Sequence, residues 1–330
     1  MKEIKKIVKA IKNSNSFIIT SHINPEGDSL GSQLAMASLL KAMDKRFIVV
    51  DNDKVPKHYA FLPDSKIISN DIKKCKGRFD AGIVLDCPNL RRTGRVKEVI
   101  TNADTIINID HHVSNEYFGD INWVKKDASC VGEMIYRLYK EFKVKITKKA
   151  ALYIYIAILT DTGSFNYTNT SGTTHEIISE LLSYGIEPYD VSRKVYENKT
   201  MGELRLLGKV LSGLKVALDG KVAYAVARKS VFKETKTGPQ ACENFVNFAR
   251  SIRGADVAVF FRESIDKKNK FHVSFRSSGK ADVNKIASFF GGGGHKSASG
   301  CIVYGGFSKV KSRVLDKVKS EIRRRNSLSK

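Results

Sequence analysis

The first half of the chain alternates short apolar runs with stretches of helical periodicity. The apolar runs have the length and composition of buried strands and occupy residues 16–20, 47–50, 81–85 and 105–109. The helical stretches occupy residues 30–43, 131–142 and 150–159. Such alternation is typical of a mainly parallel sheet, because each crossover between parallel strands usually contains a helix. The first half is therefore predicted to be an α/β domain with helices on both faces of the sheet.

Acids and imidazoles follow several of these apolar segments. They are His22, Glu26 and Asp28 after the first run, Asp86 after residues 81–85, Asp110, His111 and His112 after residues 105–109, and Asp161 after residues 154–159. Each of them alone has an ordinary alternative as a helix cap, a loop acid or a core histidine. A carboxylate just past a buried strand is nevertheless costly unless it is paired or binds metal. Their recurrence predicts a site for two adjacent divalent ions at the carboxyl edge of the sheet.

The second half has a different pattern. Strand pairs are predicted from residues 214–218 with 222–227, around Asp219-Gly220, and from residues 256–261 with 271–275. A helix over 283–290 leads into four consecutive glycines, and a strand at 302–304 and a helix at 309–323 follow. We predict three parts: a metal-binding domain over 1–186, a helical connector over 187–207, and a smaller α+β domain over 208–330, which faces the first domain across a cleft.

Charge and cysteine content restrict the class of protein but not its substrate. The net charge of +23 suits phosphate-rich partners, although lysines on solvated helix faces explain it equally well. The five cysteines lack CxxC spacing, which favours free thiols in a reducing cytoplasm over disulfides or a zinc site. The sequence contains neither an apolar run of the roughly 18 residues typical of a membrane span nor an N-terminal signal core, so a cytoplasmic location is expected.

The order of the polar motifs resembles a known family. His22-x-x-x-Glu26-x-Asp28, Asp86, Asp110-His111-His112 and Asp161-Thr162-Gly163 resemble the four motifs of the DHH phosphoesterase superfamily. In the second half, residues 274–278 and 291–300 resemble the substrate-binding motifs of the DHH-associated domain. The compact length resembles the branch of bifunctional nanoRNases and pAp phosphatases. Glu26 departs from the pattern, because much of the superfamily has aspartate there, and the longer side chain shifts the carboxylate and its metal preference.

The resemblance implies a role for each polar residue of the first half. His22, Glu26 and Asp86 are implied to hold one divalent ion, and Asp28, Asp86, His111 and Asp161 the other, with Asp86 between them. Manganese is the expected metal, with magnesium or cobalt as alternatives, because the ligands are mostly oxygen with some imidazole. Asp86, Asp110 and His112 are implied to be catalytic: His112 contacts the phosphoryl group or the leaving oxygen, and Asp110 orients a histidine. Two ions would activate water for attack on phosphorus.

The second half is implied to bind substrate. The residues assigned to this task are Arg262, Arg276, Ser277, Gly292, Gly293, Gly294 and His295, with Arg92 of the first half as a further phosphate contact. Guanidinium groups match phosphate oxygens, and glycines expose backbone N–H groups to an anion. The implied activity is the degradation of very short 5′-phosphorylated oligoribonucleotides to mononucleotides and removal of the 3′-phosphate of pAp. Short RNA and pAp are the expected partners, and the sequence leaves open whether the chain forms a homodimer.

Several alternatives remain open from the sequence. Within the superfamily, they are a phosphodiesterase for the linear di-AMP product of cyclic di-AMP breakdown and a single-strand DNA exonuclease, although the exonuclease branch carries an additional domain. An inorganic pyrophosphatase fits less well, since its substrate is smaller than a nucleotide. From another class, the chain would be a non-catalytic nucleic-acid-binding module, which the complete set of metal-ligand residue types argues against.

Overall fold

A computed structural model describes residues 2–279 and 281–328 of the chain. They form two compact units, the first ending at Asn198 and the second beginning at Lys199. The division lies within the predicted connector over 187–207. A helix over Pro188–Tyr196 belongs to the first unit, and a helix over Met201–Ser212 belongs to the second.

The first unit contains a six-stranded sheet. Its strands are β1 (Ser16–Thr20), β2 (Arg46–Val50), β3 (Ile68–Ser69), β4 (Ala81–Leu85), β5 (Thr105–Asp110) and β6 (Ile121–Val124). Their order is β3-β2-β1-β4-β5-β6, and every pairing is parallel. All residues of β1 and β4 are buried, as expected for central strands covered on both faces. The prediction of a mainly parallel sheet is confirmed.

The helices of this unit pack against the sheet or against one another. They are α1 (Lys2–Asn13), α2 (Gly27–Ala42), α3 (Lys97–Ile100), α4 (Val131–Phe142), α5 (Lys148–Asp161), α6 (Gly172–Leu182) and α7 (Pro188–Tyr196). The larger core includes Phe17 and Ile83 of the sheet, and a smaller core includes Ile18 and Val84, which are their neighbours along the strands. Since successive strand residues point to opposite faces, apolar side chains pack against both faces of the sheet.

Two glycines of α2 allow it to pack closely against α5. A Cβ atom at Gly27 would lie 2.3 Å from Oγ1 of Thr160, and one at Gly31 would lie 2.4 Å from the carbonyl oxygen of Tyr153. The two helices therefore run antiparallel, with the beginning of α2 beside the end of α5. This packing brings Asp28, in the first turn of α2, close to Asp161, the last residue of α5.

The second unit contains a mixed sheet. Its strands are β7 (Lys215–Ala217), β8 (Val222–Ala227), β9 (Val257–Glu263), β10 (Lys270–Ser277), β11 (Gly293–Gly294) and β12 (Ala298–Tyr304). Their order is β11-β12-β10-β9-β8-β7, with β8 and β9 parallel and the other pairs antiparallel. The helices are α8 (Met201–Ser212), α9 (Lys229–Thr235), α10 (Phe245–Arg250), α11 (Val283–Phe289) and α12 (Phe307–Leu328). This smaller α+β architecture is also as predicted.

Across the described residues, no helix combines the length and apolar character that a membrane span requires.

Candidate metal centre

The carboxyl edge of the first sheet collects the acids and imidazoles singled out in the sequence. His22 lies just past β1, Asp86 follows β4 directly, and Asp110 is the last residue of β5. His111 and His112 continue from β5. Because the strands are parallel, their carboxyl ends meet at one edge, which is where open α/β folds place ligand sites.

Asp86 lies at the centre of this group. Its Oδ2 is 3.3 Å from Nε2 of His22, and its Oδ1 is 3.6 Å from Nε2 of His111. The residue has a left-handed backbone conformation with φ of 52°, which is unusual for a residue other than glycine. A backbone hydrogen bond from its N–H to the carbonyl of Ile109, 3.0 Å long, ties it to β5. The two carboxylate oxygens thus face two different histidines.

His111 connects the remaining carboxylates. Its Nε2 is 3.7 Å from Oδ2 of Asp161 and 4.0 Å from Oδ2 of Asp28. One ligand atom each from Asp28, Asp86 and His111 lie within 4.8 Å of one another. Both histidine and carboxylate are ligands that manganese, zinc and related divalent ions accept. The donor set therefore fits a divalent cation.

Asp28 is held in place by the beginning of α4. Its carboxylate accepts hydrogen bonds from the backbone N–H groups of Val131, at 2.8 Å, and Gly132, at 3.0 Å. The hydroxyl of Ser32 donates a third, at 2.8 Å. Helix N-termini carry partial positive charge and unpaired N–H groups, so this position stabilises the carboxylate as an anion.

The electrostatics of the group also favour a cation. Burial raises the pKa of Asp28 to about 6, and the charge of Asp86 adds to this shift. Burial likewise raises the pKa of Asp161 to about 8. His111 is buried, which lowers its pKa, yet the charge of Asp161 and the other acids raises it to about 9. The raised pKa values of the two acids and of the histidine all indicate an excess of negative charge in the group. A divalent cation would neutralise this charge.

The pKa of Asp86 is shifted downward, opposite to the pKa values of Asp28 and Asp161. Burial opposes its ionisation, but the hydrogen bond from His22 and the charges of His112 and His22 hold its pKa well below the usual range. It therefore stays a carboxylate when its neighbours take up protons.

Glu26 lies apart from the converging atoms. It is exposed at the beginning of α2, where its backbone N–H donates a 2.9 Å hydrogen bond to Oγ of Ser29. Its negative charge contributes to the raised pKa of Asp161, so the two carboxylates lie in the same region. Among the described residues, the groups of convergent ligand atoms do not include Glu26.

Asp110 and His112 form a pair beside this group. Nδ1 of His112 lies 2.7 Å from Oδ1 of Asp110, which is fully buried, and 3.6 Å from Oδ1 of Asp86. Although burial opposes it, the charge of His112 lowers the pKa of Asp110. The pair fixes the orientation of the imidazole ring and commits Nδ1 to the carboxylate.

Arg92 reaches the same edge from the loop after β4. Its carbonyl accepts a 2.7 Å hydrogen bond from the N–H of Ile23, directly after His22. Burial lowers the pKa of His22 and the positive charge of Arg92 lowers it further, but Asp86 and the carbonyl of Ile23 raise it, and the net shift of the pKa is upward. The guanidinium is therefore close enough to act on a charge in the site.

In the second unit, Arg262 lies on β9 and Arg276 on β10. In the strand register Arg262 is opposite His272, and Arg276 is opposite Ala258, so both arginines belong to the same face of the sheet. Among the side chains that the structure describes, neither guanidinium forms an ion pair with an acid, and Nε of Arg276 is buried with no hydrogen-bond partner. A half-buried guanidinium group that forms no ion pair with an acid of the protein is suited to bind an anion.

The glycine loop forms the edge of the same sheet. Gly293 and Gly294 pair with Gly300 and Ser299 of β12. A Cβ atom at Gly292 would lie 2.2 Å from the carbonyl oxygen of Gly300, so a side chain cannot be accommodated there. His295 follows in a turn, where its N–H donates to the carbonyl of Ala298 at 2.7 Å.

Ser277 has a local role in this unit. Its Oγ accepts hydrogen bonds from the N–H groups of Gly279 and Ala281, each 3.1 Å long, and thereby shapes the turn after β10.

Comparison with known proteins identifies both units. The model of the DHH family, N-terminal domain, matches residues 16–158, and the model of the DHHA1 domain matches residues 219–324. The chain belongs to the DHH phosphoesterase superfamily. Asp161 lies just beyond the range matched by the first model, at the end of α5.

Relatives match over nearly the whole chain. The bifunctional oligoribonuclease and PAP phosphatase NrnA of Thermus thermophilus is 29% identical over 325 residues, which are 98% of this chain and 95% of that protein. The protein of the same name from Bacillus subtilis is 27% identical over 90% of this chain and 92% of its own length. The crystal structure of an exopolyphosphatase-related protein from Bacteroides fragilis, 30% identical, superposes with a TM-score of 0.87 and covers 100% of this chain and 98% of its own. Membership of this superfamily supports phosphoester hydrolysis as the activity.

Asn169 of the first unit contacts the site, and the sequence analysis did not predict it. Asn169 donates from Nδ2 to Oδ2 of Asp161 at 3.1 Å and to the carbonyl of Ser129 at 2.7 Å. It thereby connects Asp161 to the segment that leads into α4 and Asp28. A single asparagine in a polar loop carries no pattern that would predict this contact.

Proposed function

We propose that this chain is a metal-dependent phosphoesterase that degrades very short 5′-phosphorylated oligoribonucleotides to mononucleotides and also removes the 3′-phosphate of pAp. The observation that supports it most is the convergence of Asp28, Asp86, His111 and Asp161 at the sheet edge of the DHH domain. The relatives named as bifunctional oligoribonuclease and PAP phosphatase add support, because they match the chain nearly end to end.

We assign the ligands to two divalent ions, with manganese as the expected metal. His22, Glu26 and Asp86 would hold one ion, and Asp28, Asp86, His111 and Asp161 would hold the other. Ions bound in such a pair supply positive charge to the phosphoryl oxygens and lower the pKa of water. Since Glu26 is exposed, its side chain would have to turn toward Asp86 to hold an ion, so we expect weaker metal affinity at this position than at the buried one.

The protein groups position the substrate and handle its proton. Arg262, Arg276, Arg92 and the backbone of the 292–295 loop bind phosphate and sugar oxygens, with Ser277 supporting the turn beside them. Asp110 holds the ring of His112 through Nδ1, so that Nε2 donates the proton to the leaving 3′ oxygen. The products are AMP and phosphate from pAp, and two 5′-mononucleotides from a 5′-phosphorylated dinucleotide.

The cysteines support a proposal about the cellular compartment. All five cysteines are free, and Cys87, Cys130, Cys242 and Cys301 are buried. Unpaired thiols are typical of a reducing compartment. We therefore propose that the protein acts in the cytoplasm, where short RNA and pAp are its partners.

Product analysis tests the proposal directly. The purified chain is incubated with pAp and with 5′-phosphorylated oligoribonucleotides of two to six residues, with manganese, with magnesium and with excess chelator. We expect AMP from pAp and mononucleotides from the shortest oligomers, in metal only. Hydrolysis of pyrophosphate but of neither nucleotide, or binding of RNA without turnover under every condition, would contradict the proposal.

A further inference from the structure

Two buried asparagines lie behind Asp110, and the proposed function does not use them. Asn108 is 0% exposed and Asn115 is 8% exposed. Nδ2 of Asn115 donates to Oδ2 of Asp110 at 2.6 Å and to Oδ1 of Asn108 at 2.8 Å. Its Oδ1 accepts from the N–H of Tyr117 at 2.7 Å. Both amide protons and the amide oxygen of Asn115 are therefore used, which fixes the orientation of the side chain.

Asn108 connects this hydrogen-bond network of Asp110, Asn115 and Asn108 to the backbone around Asp86. Its Nδ2 donates to the carbonyl oxygens of Val84, at 3.3 Å, and Cys87, at 3.2 Å. These two residues flank the segment in which Asp86 adopts its left-handed conformation. Strained backbone of this kind persists only where the surroundings hold it. The amide of Asn108 is one of the groups that hold it.

The other end of the network reaches His112. Asp110 accepts from Asn115 through Oδ2 and from Nδ1 of His112 through Oδ1, at 2.6 and 2.7 Å. Because both carboxylate oxygens are engaged, the carboxylate cannot rotate without breaking a charge-assisted hydrogen bond. The ring of His112 is thus connected through Asp110, Asn115 and Asn108 to the backbone of the Asp86 loop.

We propose that Asn115 is a positioning residue for the leaving-group step: by holding Asp110, it directs Nε2 of His112 at the departing 3′ oxygen. This rests on the proposed function, in which His112 protonates that oxygen. In the step, the oxygen of water bonds to phosphorus and one of its protons passes to solvent. The bond from phosphorus to the 3′ oxygen breaks, and that oxygen keeps the electron pair and takes the proton from Nε2.

Two substrates with different leaving groups separate this role from a general effect on folding. The 5′-phosphorylated dinucleotide pApA expels a sugar alkoxide, which needs a proton. The p-nitrophenyl ester of AMP expels p-nitrophenolate, which does not. We expect Asn115→Ala to lower kcat on pApA by about 10- to 100-fold, as for one lost hydrogen bond to a charged group. On the nitrophenyl ester we expect a loss of less than about 3-fold, with KM unchanged for both substrates.

Further variants keep the test decisive. Asn115→Asp preserves the shape of the side chain but places an oxygen against Oδ2 of Asp110. It should therefore lower kcat on pApA relative to the nitrophenyl ester at least as much as Asn115→Ala does. It replaces the alanine variant if that variant does not fold. Asn102→Ala is the matched control, because exposed Asn102 in the same unit donates from its side chain to the carbonyl of Glu98 at the end of α3, away from the network. It should leave the ratio of the two kcat values unchanged.

The comparison with His112→Ala separates the inference from the proposed function. If His112→Ala lowers kcat equally on both substrates, the proton-donating role of His112 is wrong, and the inference about Asn115 fails with it. The other outcome is that His112→Ala lowers kcat mainly on pApA, whereas both Asn115 variants lower kcat equally on the two substrates or on neither. The positioning role of Asn115 is then overturned and the proposed function stands.

Discussion

At the scale of single residues, Asp86 is the group on which the proposed centre depends most. Its two oxygens face His22 and His111 separately, and its pKa is held low while those of Asp28 and Asp161 are raised. Removing its charge would leave three imidazoles, those of His22, His111 and His112, without the carboxylate beside them, and the two proposed metal positions without their proposed shared ligand.

We therefore predict that Asp86→Asn lowers kcat by about 10²- to 10³-fold or more, the loss typical of one essential electrostatic group. Metal content, measured by mass spectrometry of the dialysed protein, should fall in parallel. Asp127→Asn is the control, because Asp127 is an exposed acid of the same unit that forms a 2.6 Å ion pair with Lys125 and is not among the proposed ligands. Full activity of the wild-type chain in excess chelator would show that the metal mechanism is wrong.

Arg276 tests the assignment of the second unit. We predict that Arg276→Ala raises KM for pAp by about 10- to 150-fold, the worth of one charge-assisted phosphate contact, while metal content stays unchanged. Arg276→Lys should restore only part of the affinity, because lysine lacks the planar fork. Exposed Arg253 in the same unit provides the control variant Arg253→Ala. Loss of metal with normal KM would contradict this division of roles.

At the scale of elements, the close contact between α2 and α5 sets the distance between Asp28 and Asp161. Replacing Gly31 with alanine would place Cβ 2.4 Å from the carbonyl oxygen of Tyr153, which is backbone and cannot turn away. We predict that Gly31→Ala lowers the free energy of unfolding of the first unit by about 1–3 kcal/mol and also weakens metal binding.

Denaturant titration and calorimetric metal titration measure the two effects of Gly31→Ala. Gly172→Ala, in the first turn of α6, is the matched control, since nothing lies within 4 Å of its Cβ position. Normal metal affinity in a destabilised Gly31→Ala protein would show that the contact supports the fold but not the site.

The sequence predicted the elements that carry a strong local pattern. β1 and β4 have the predicted bounds, because a continuous apolar run with polar residues on either side defines where a strand begins and ends. β6 was not predicted, since Ile121–Val124 is a short, half-buried edge strand whose apolar pattern is weak. Contacts such as that of Asn169 with Asp161 were also out of reach, because they join loops whose approach depends on the packing of α4 and α5.

At the scale of the whole molecule, one chain is proposed to perform two reactions. In pAp, the 3′-phosphate takes the place that the internucleotide phosphate has in a 5′-phosphorylated dinucleotide. Both substrates therefore present a 5′-phosphate and a nucleoside, followed by the phosphorus that is attacked. The net charge of +23 attracts both anions without distinguishing them, so selectivity must come from the anchoring groups.

We predict that pAp competes with the dinucleotide, with an inhibition constant close to its own KM, because the proposal assigns the same arginines and the same metal ligands to both substrates. Steady-state hydrolysis of the dinucleotide at several pAp concentrations measures this. Removing the 5′-phosphate should weaken both substrates by a similar factor of about 10- to 150-fold, since each loses the same charge-assisted contact. Adenosine 3′-phosphate and the unphosphorylated dinucleotide are the matched pair for this comparison. Non-competitive inhibition would mean separate sites, and indifference of one substrate to the 5′-phosphate would mean that the two reactions do not share the anchor.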